Sequence, residues 1–195
     1  MSMKTTLIGA AALSLLALAG CRSTQDALAI GEAAEANPGP CPRAFALFDA
    51  SRLVEIRGDG KERFPNVGFT GEINKVRSLC RYFADRPINA DLTIDFSLGR
   101  GPAATSDTMT YNYFVAVTRK NIDVIEKTTF PLTVTFPAGQ DRVNVTETID
   151  EILIPRANDT TSGENYEIIV GFVVTPEQRA FNADGKRFRV SAGQR

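Results

Sequence analysis

The sequence predicts an all-β sandwich of antiparallel strands with one short helix near its C-terminus. From Cys41 onward, apolar residues recur at every second position, and clusters rich in Gly, Pro and Asn separate these runs. A period of two places alternate side chains on opposite faces of a sheet, so that one face can pack into a core. Seven or eight short strands joined by turns are typical of a sandwich.

Four runs carry the strongest strand pattern. They are residues 92–98, 111–117, 130–136 and 166–174. The last run is apolar on both faces, which predicts a strand in the middle of its sheet. Weaker strand patterns cover 52–56, 67–73, 75–83 and 143–154. In the last of these the apolar phase slips near Asp150, which predicts a β-bulge.

A single helix signal follows the strands. Thr175-Pro176-Glu177-Gln178 combines an N-cap threonine, a proline at the first helical position and a glutamine suited to a capping box. We therefore expect a helix over residues 176–183, with Phe181 packed on the sandwich.

The N-terminal segment has the composition of a secretory signal. Residues 5–20 carry no charge, follow Lys4 and end in Leu18-Ala19-Gly20-Cys21. This ending resembles the lipobox of bacterial lipoproteins, in which the peptidase cuts before the cysteine and the cysteine is then acylated. The resemblance implies a lipid on Cys21 and attachment to a membrane, because two or more acyl chains anchor a protein stably.

The same resemblance predicts where the protein resides. Arg22, rather than aspartate, follows the lipidated cysteine, and by resemblance to enterobacterial sorting this favours the outer membrane facing the periplasm. The predicted organisation is a signal peptide over 1–20, a lipidated flexible tether over 21–40, a sandwich domain over 41–183 and a basic tail over 184–195. The tether composition cannot bury enough apolar surface to fold.

Lipidation of Cys21 would leave two of the three cysteines, Cys41 and Cys80. We expect them to form a disulfide, since such bonds persist in an oxidising compartment. The bridge would close a loop of about 40 residues, for which chain entropy gives roughly 3–4 kcal/mol. The competing interpretations are two unpaired thiols or a redox pair, and no C-x-x-C spacing supports the redox pair.

The globular part resembles immunoglobulin-like or fibronectin-III-like envelope domains. It is also similar to uncharacterised alphaproteobacterial lipoproteins in Gly101-Pro102-Ala103-Ala104, Tyr113-Phe114-Val115-Ala116-Val117 and Gly171-Phe172-Val173-Val174-Thr175-Pro176-Glu177-Gln178. These motifs are strand and cap sequences, so the resemblance implies a fold and no chemistry.

The sequence lacks the residues that common catalytic sites require. It contains no histidine, no G-x-S-x-G and no S-x-x-K arrangement, which excludes histidine-based triads and histidine general bases. We therefore predict a protein that is not an enzyme and has no cofactor or metal. Removing residues 1–20 leaves 21 basic against 23 acidic side chains, which argues against nucleic-acid binding.

Three further features are candidate contact sites. Tyr111 and Tyr113 would form an aromatic interaction patch if both faced outward; the competing interpretation places them in the core. The acidic residues Glu147, Asp150 and Glu151 could hold a hard cation, or simply cover a solvated strand face. The basic C-terminal tail could touch an anionic envelope surface, or remain solvated.

Two functional hypotheses follow. The first is a lipid-anchored, non-catalytic envelope protein that acts as a structural or protein-interaction module, with an envelope protein as partner. The second is a periplasmic ligand-binding protein or a carboxylate-dependent hydrolase. A concave pocket with convergent carboxylates would favour the second.

The lipid anchor can be tested directly. A Cys21→Ser variant should lose membrane fractionation, because no acyl chain can be attached, and the mass of the membrane-extracted wild type should show a lipid adduct beginning at Cys21. Continued membrane association of the variant would contradict the anchor.

Overall fold

The computed structural model describes residues 39–83 and 86–188. The predictions for the signal peptide, for Cys21 and for the tether up to residue 38 lie outside these residues. Within them the chain forms eight β-strands and one α-helix: β1 (Arg43–Ala46), β2 (Arg52–Ile56), β3 (Val67–Arg81), β4 (Ile88–Arg100), β5 (Thr108–Arg119), β6 (Asp123–Thr135), β7 (Arg142–Ile154), β8 (Tyr166–Phe172) and α1 (Pro176–Ala183).

The described strands build two four-stranded sheets. The first sheet has the order β1-β8-β5-β6 and the second the order β2-β3-β4-β7. Neighbours are antiparallel except β1, which runs parallel to β8. The predicted all-β sandwich is therefore confirmed, while an immunoglobulin-like or fibronectin-III-like assignment stays a prediction.

Strict alternation builds the core between the two sheets. Along β4 the even-numbered residues from Ile88 to Leu98 are buried, while most of the odd-numbered ones are half-buried on the other face. β8 lies between β1 and β5, so the prediction of a central strand is confirmed, although the strand ends at Phe172 rather than at residue 174. Its even-numbered residues Tyr166, Ile168, Val170 and Phe172 join the same core.

The third strand differs from the prediction. Residues 67–73 and 75–83 were expected as two strands, yet they form one strand, Val67–Arg81, paired with β4 along its length. The register shifts between Ile73 and Lys75. Before this irregularity the core-facing residues have odd numbers, and after it they have even numbers. The sequence pattern of one strand therefore resembled that of two. The four-residue strand β1 went unpredicted because it is too short to show a period.

The bulge predicted near Asp150 is confirmed. The register between β4 and β7 shifts between Ala90 and Leu92, which pair with Ile152 and Ile149. Asp150 and Glu151 of β7 thus lie opposite the single residue Asp91 of β4, and Glu151 has a φ of 59°, in the left-handed region. The bulge reverses the apolar phase, so that both Ile149 and Ile152 face the core.

The predicted helix is also confirmed. Thr175 and Gln178 form the reciprocal capping box, and the Gln178 side chain also donates to the Val54 carbonyl at 3.0 Å. Phe181 packs with Val54 and Val67 in a small second cluster. The helix thereby covers the short edge strand β2.

The disulfide between Cys41 and Cys80 is present, as predicted. It joins the segment before β1 to the end of β3. The Tyr82 hydroxyl donates to the Pro40 carbonyl at 2.7 Å and accepts from the Gly163 amide at 2.9 Å. The start of the domain is therefore fixed by one covalent bond and a hydrogen-bonded tyrosine beside it.

The two sides of the sandwich differ. On one side the short edge strands β1 and β2 are held by the disulfide and by α1. On the other side β6 and β7 are edge strands of 13 residues each. Long unpaired edges invite pairing with another chain unless proline, charge or a bulge protects them. This side carries all three, in Pro131, in inward-facing glutamates and in the bulge of β7.

The described part of the predicted basic tail contacts the domain. Lys186 lies 2.8 Å from the Glu62 carboxylate, and Arg187 pairs with Glu72. The Phe188 ring stacks on Phe181 with a centroid separation of 5.8 Å. These two cations are thus engaged with acidic residues of the domain.

In the described part of the chain, no helix is long and apolar enough to cross a membrane.

The disulfide should contribute measurably to stability. A Cys41→Ala/Cys80→Ala double variant should lose about 3–4 kcal/mol in free energy of unfolding, because the open chain gains loop entropy. Urea denaturation measures this loss, and reduction of the wild type should reproduce it. Alkylation of folded, unreduced protein should label neither cysteine; two labelled thiols would contradict the bridge.

Candidate interaction surfaces

The structure places Tyr111 and Tyr113 inside the core, so the competing interpretation is confirmed and the two residues form no outward-facing patch. Their exposed fractions are 0% and 1%. Their side chains lie on the same face of β5 as those of Val115 and Val117, and this face packs against the second sheet. The Tyr111 hydroxyl donates to the Thr70 carbonyl at 3.1 Å, which satisfies its polar atom across the sandwich.

Tyr113 lies among aromatic rings and beside an inward-facing carboxylate. Its ring centroid is 5.2 Å from that of Phe96 and 5.5 Å from that of Phe130. Burial raises the pKa of the Tyr113 hydroxyl to about 12, with the charge and hydrogen bonding of Glu147 acting in the same direction. Burial, together with the charge of Glu55, also raises the pKa of Tyr111.

Among the aromatic residues of β5, Phe114 is the one that points away from the core. Its side chain lies on the face of β5 opposite to Tyr111 and Tyr113, over Gly171 of β8. A Cβ added at Gly171 would come within 2.8 Å of the Phe114 ring and of the Ala50 side chain. Leu47, Ala50, Phe114 and Val173 share a shallow cavity of about 270 Å³ on the outer side of the first sheet. We call Leu47, Phe48, Phe114 and Val173 the aromatic face.

Much of the aromatic face is accessible. The exposed fractions are 42% for Leu47, 59% for Phe48 and 50% for Val173. Leu47 and Phe48 follow β1 directly, and the 3-10 turn Phe48–Ala50 carries the chain across β8. The local sequence therefore presents two neighbouring apolar side chains at a turn, where no sheet covers them.

Basic residues surround this face. The Lys127 ammonium nitrogen lies 4.3 Å from the Phe114 ring centroid, and the Arg52 guanidinium carbon lies 5.4 Å from that of Phe48. Arg179 lines the cavity together with a single acidic residue, Asp49. Within the described residues, neither Lys127 nor Arg179 forms an ion pair. The face is consequently apolar with an electropositive border.

A second feature lies on the open side of the sandwich, between β6 and β7. We call it the edge cleft; its volume is about 330 Å³. Its walls are mostly apolar, and three carboxylates lie among its lining residues. Those residues are Val115, Val117, Glu126, Thr128, Phe130, Ile149, Asp150, Glu151, Ile152 and Leu153.

The sequence of β6 explains why the sandwich opens here. Inward-facing positions on β6 run from Val134 and Leu132 to Phe130, and then become polar at Thr128 and Glu126. Polar side chains cannot fill a dry core without cost. The two sheets are therefore not closed by apolar packing at this end, and a cleft remains.

The acidic residues noted in the sequence do not act as one group. Glu147 faces inward toward Tyr113, whereas Asp150 and Glu151 form the bulge at the cleft. Among the described residues, no group of three or more Cys, Asp or Glu side chains is arranged to hold a metal ion.

Sequence reasoning missed Phe114, Leu47, Phe48 and the edge cleft. The alternation in the sequence places Phe114 on the face of β5 opposite to Tyr111 and Tyr113, but it does not show which of the two faces is buried. The only sequence signal for the cleft was the change from apolar Phe130 to polar Thr128 and Glu126 at alternate positions of the same run.

Comparison with models of known protein families gives no match. A search of curated proteins finds no relative either.

The buried tyrosine gives a pH-dependent prediction. Tyr113 is neutral in the folded state up to about pH 12, whereas an unfolded tyrosine ionises near pH 10. The free energy of unfolding should therefore fall as pH rises from about 10 to about 12. Between pH 9 and pH 11, the free energy of unfolding of a Tyr113→Phe variant should fall by about 1 kcal/mol less than that of the wild type. Urea denaturation of both proteins at pH 9 and pH 11 tests this; equal declines would contradict it.

Proposed function

We propose that this protein is a lipid-anchored, non-catalytic envelope protein that acts as an interaction module. It is held through Cys21, on the periplasmic side of the outer membrane, and presents the aromatic face to another envelope protein. The anchor rests on the sequence resemblance of residues 18–21, and the location rests on Arg22 after the lipidated cysteine. The contact surface is proposed from the geometry of the first sheet.

The observation that carries the proposal is the combination of exposure and charge on the aromatic face. Leu47, Phe48 and Val173 are each 42–59% exposed. Contiguous exposed apolar side chains with a polar border are characteristic of protein-interaction sites. Aromatic residues and arginine are enriched at such interfaces, and energetic hot spots cluster around them.

The charge of the border supports a particular chemistry for the proposed partner. Lys127, Arg52 and Arg179 outnumber Asp49 on this face. A partner with an apolar patch bordered by Asp or Glu would be complementary, and the charges would chiefly set orientation and association rate. We therefore propose an acidic, partly apolar surface on the partner.

The second functional hypothesis is favoured by a separate observation. The edge cleft is concave, largely apolar and lined by carboxylates, which suits a ligand-binding protein. The carboxylate-dependent hydrolase stays a prediction from the sequence.

The proposed contact can be tested by photocrosslinking in intact cells. A photoreactive amino acid at Val173 should give one adduct of defined mass, because Val173 lies within the aromatic face. The same amino acid at Leu79, 75% exposed on the second sheet, is the matched control and should give none. Adding Lys127→Glu to the Val173 probe should reduce the adduct about threefold, since an exposed ion pair is worth roughly 0.2–1 kcal/mol.

The outcome separates the interpretations. Identical adducts from positions 173 and 79 would indicate nonspecific contact and would contradict the proposal. Absence of any protein adduct, with crosslinking of position 173 to lipid instead, would also contradict it, because the face would then contact the membrane.

A further inference from the structure

We propose that the edge cleft binds a small amphiphilic cation, a ligand with an amine or guanidinium group attached to an apolar body. This names a ligand class for the second functional hypothesis, and it does not rest on the aromatic face as a contact site. The cleft lies between the sheets on the β6–β7 side, whereas the aromatic face lies on the outer side of the first sheet.

The apolar body of the ligand is inferred from the cleft walls. Val115 and Val117 of β5 are 6% and 4% exposed, and Phe130, Ile149 and Ile152 are partly buried beside them. These side chains come from both sheets and meet in the cavity. The volume of about 330 Å³ lies in the range that small-molecule sites occupy.

The positive charge is inferred from the lining residues. Glu126, Asp150 and Glu151 contribute carboxylates, and none of the described lining residues carries a positive charge. Thr128 is the only uncharged polar side chain among them, and its hydroxyl is oriented toward Glu126 at 3.4 Å. An anionic ligand would be repelled here, whereas an ammonium or guanidinium group could form charge-assisted hydrogen bonds.

The carboxylates are carried by strands rather than by a loose loop. Glu126 lies beside the register shift in β6, where Val117 pairs with Glu126 but Thr118 pairs with Val124. Asp150 and Glu151 form the bulge of β7, and the Glu151 amide lies 3.4 Å from the Asp91 carboxylate of β4. Both strands remain paired with their inner neighbours, so the walls of the cleft are held in place.

The test uses the lipidated full chain in nanodiscs, with methyl-labelled valine and isoleucine observed by NMR. The probe is 4-phenylbutylammonium, and 5-phenylvalerate is the size-matched anion. The cation should shift the methyl signals of Val117, Ile149 and Ile152 in a saturable manner, and the anion should not. Empty nanodiscs measure partitioning of either probe into lipid.

Variants identify the groups responsible. Glu126→Gln and Glu151→Gln should each raise the Kd for the cation about two- to fivefold, as expected for partly solvated ion pairs. Glu164→Gln, an exposed acid outside the cleft, is the matched control and should leave the Kd unchanged. Raising the salt concentration should weaken binding of the cation to the wild type.

Three results would overturn the proposal. They are equal binding of the anion, methyl shifts centred on Val173 rather than on the cleft, or an unchanged Kd in the Glu126→Gln/Glu151→Gln double variant whose spectrum shows a folded protein. A failure of this kind would leave the aromatic face and the lipid anchor untouched, because those are tested by crosslinking and by fractionation.

Discussion

The contact between Phe172 and the backbone of Gly71 sets the spacing of the two sheets. A Cβ at position 71 would lie 2.8 Å from the tip of the Phe172 ring, so only glycine allows the ring to reach the second sheet. The Phe172 centroid lies 5.7 Å from that of Phe96 and 6.2 Å from that of Tyr111. Tilted ring pairs at these separations contribute beyond their buried area. One aromatic side chain thus joins strands from both layers.

This packing also determines what the molecule displays. Tyr111 and Tyr113 complete the aromatic cluster around Phe172 and Phe96. The residues between and beside them on β5 must therefore point away from the core. Phe114 therefore emerges on the outer side, above Gly171. The surface that we propose for partner binding is a consequence of the same alternation that fills the interior.

Much of the fold could be predicted from the sequence, since alternation, turn residues and the capping box are local signals. The bulge at Asp150 was predictable because it reversed an apolar phase within one strand. The joining of 67–73 and 75–83 was not, since a shift at Asn74 can be read either as a break or as an irregularity. Which face of β5 is buried depends on the partner sheet, and so the outward direction of Phe114 became clear only in three dimensions. The edge cleft likewise requires knowledge that β6 and β7 flank the same opening.

Pro131 has a consequence for the lipid-anchored state that we propose. The Asn112 carbonyl accepts a hydrogen bond from the Val173 amide at 2.8 Å, so the backbone polar groups of Asn112 point toward β8. Pro131 is paired with Asn112 across β5 and β6, and its backbone polar groups therefore point away from β5, to the open edge of the sheet. A proline there supplies no N–H, and the repeating ladder that another strand would need is interrupted. Lipid-anchored molecules diffuse in two dimensions, where neighbours meet often and in restricted orientations. Under the proposed anchoring, an interrupted edge would allow a high surface density without sheets extending from one molecule to the next.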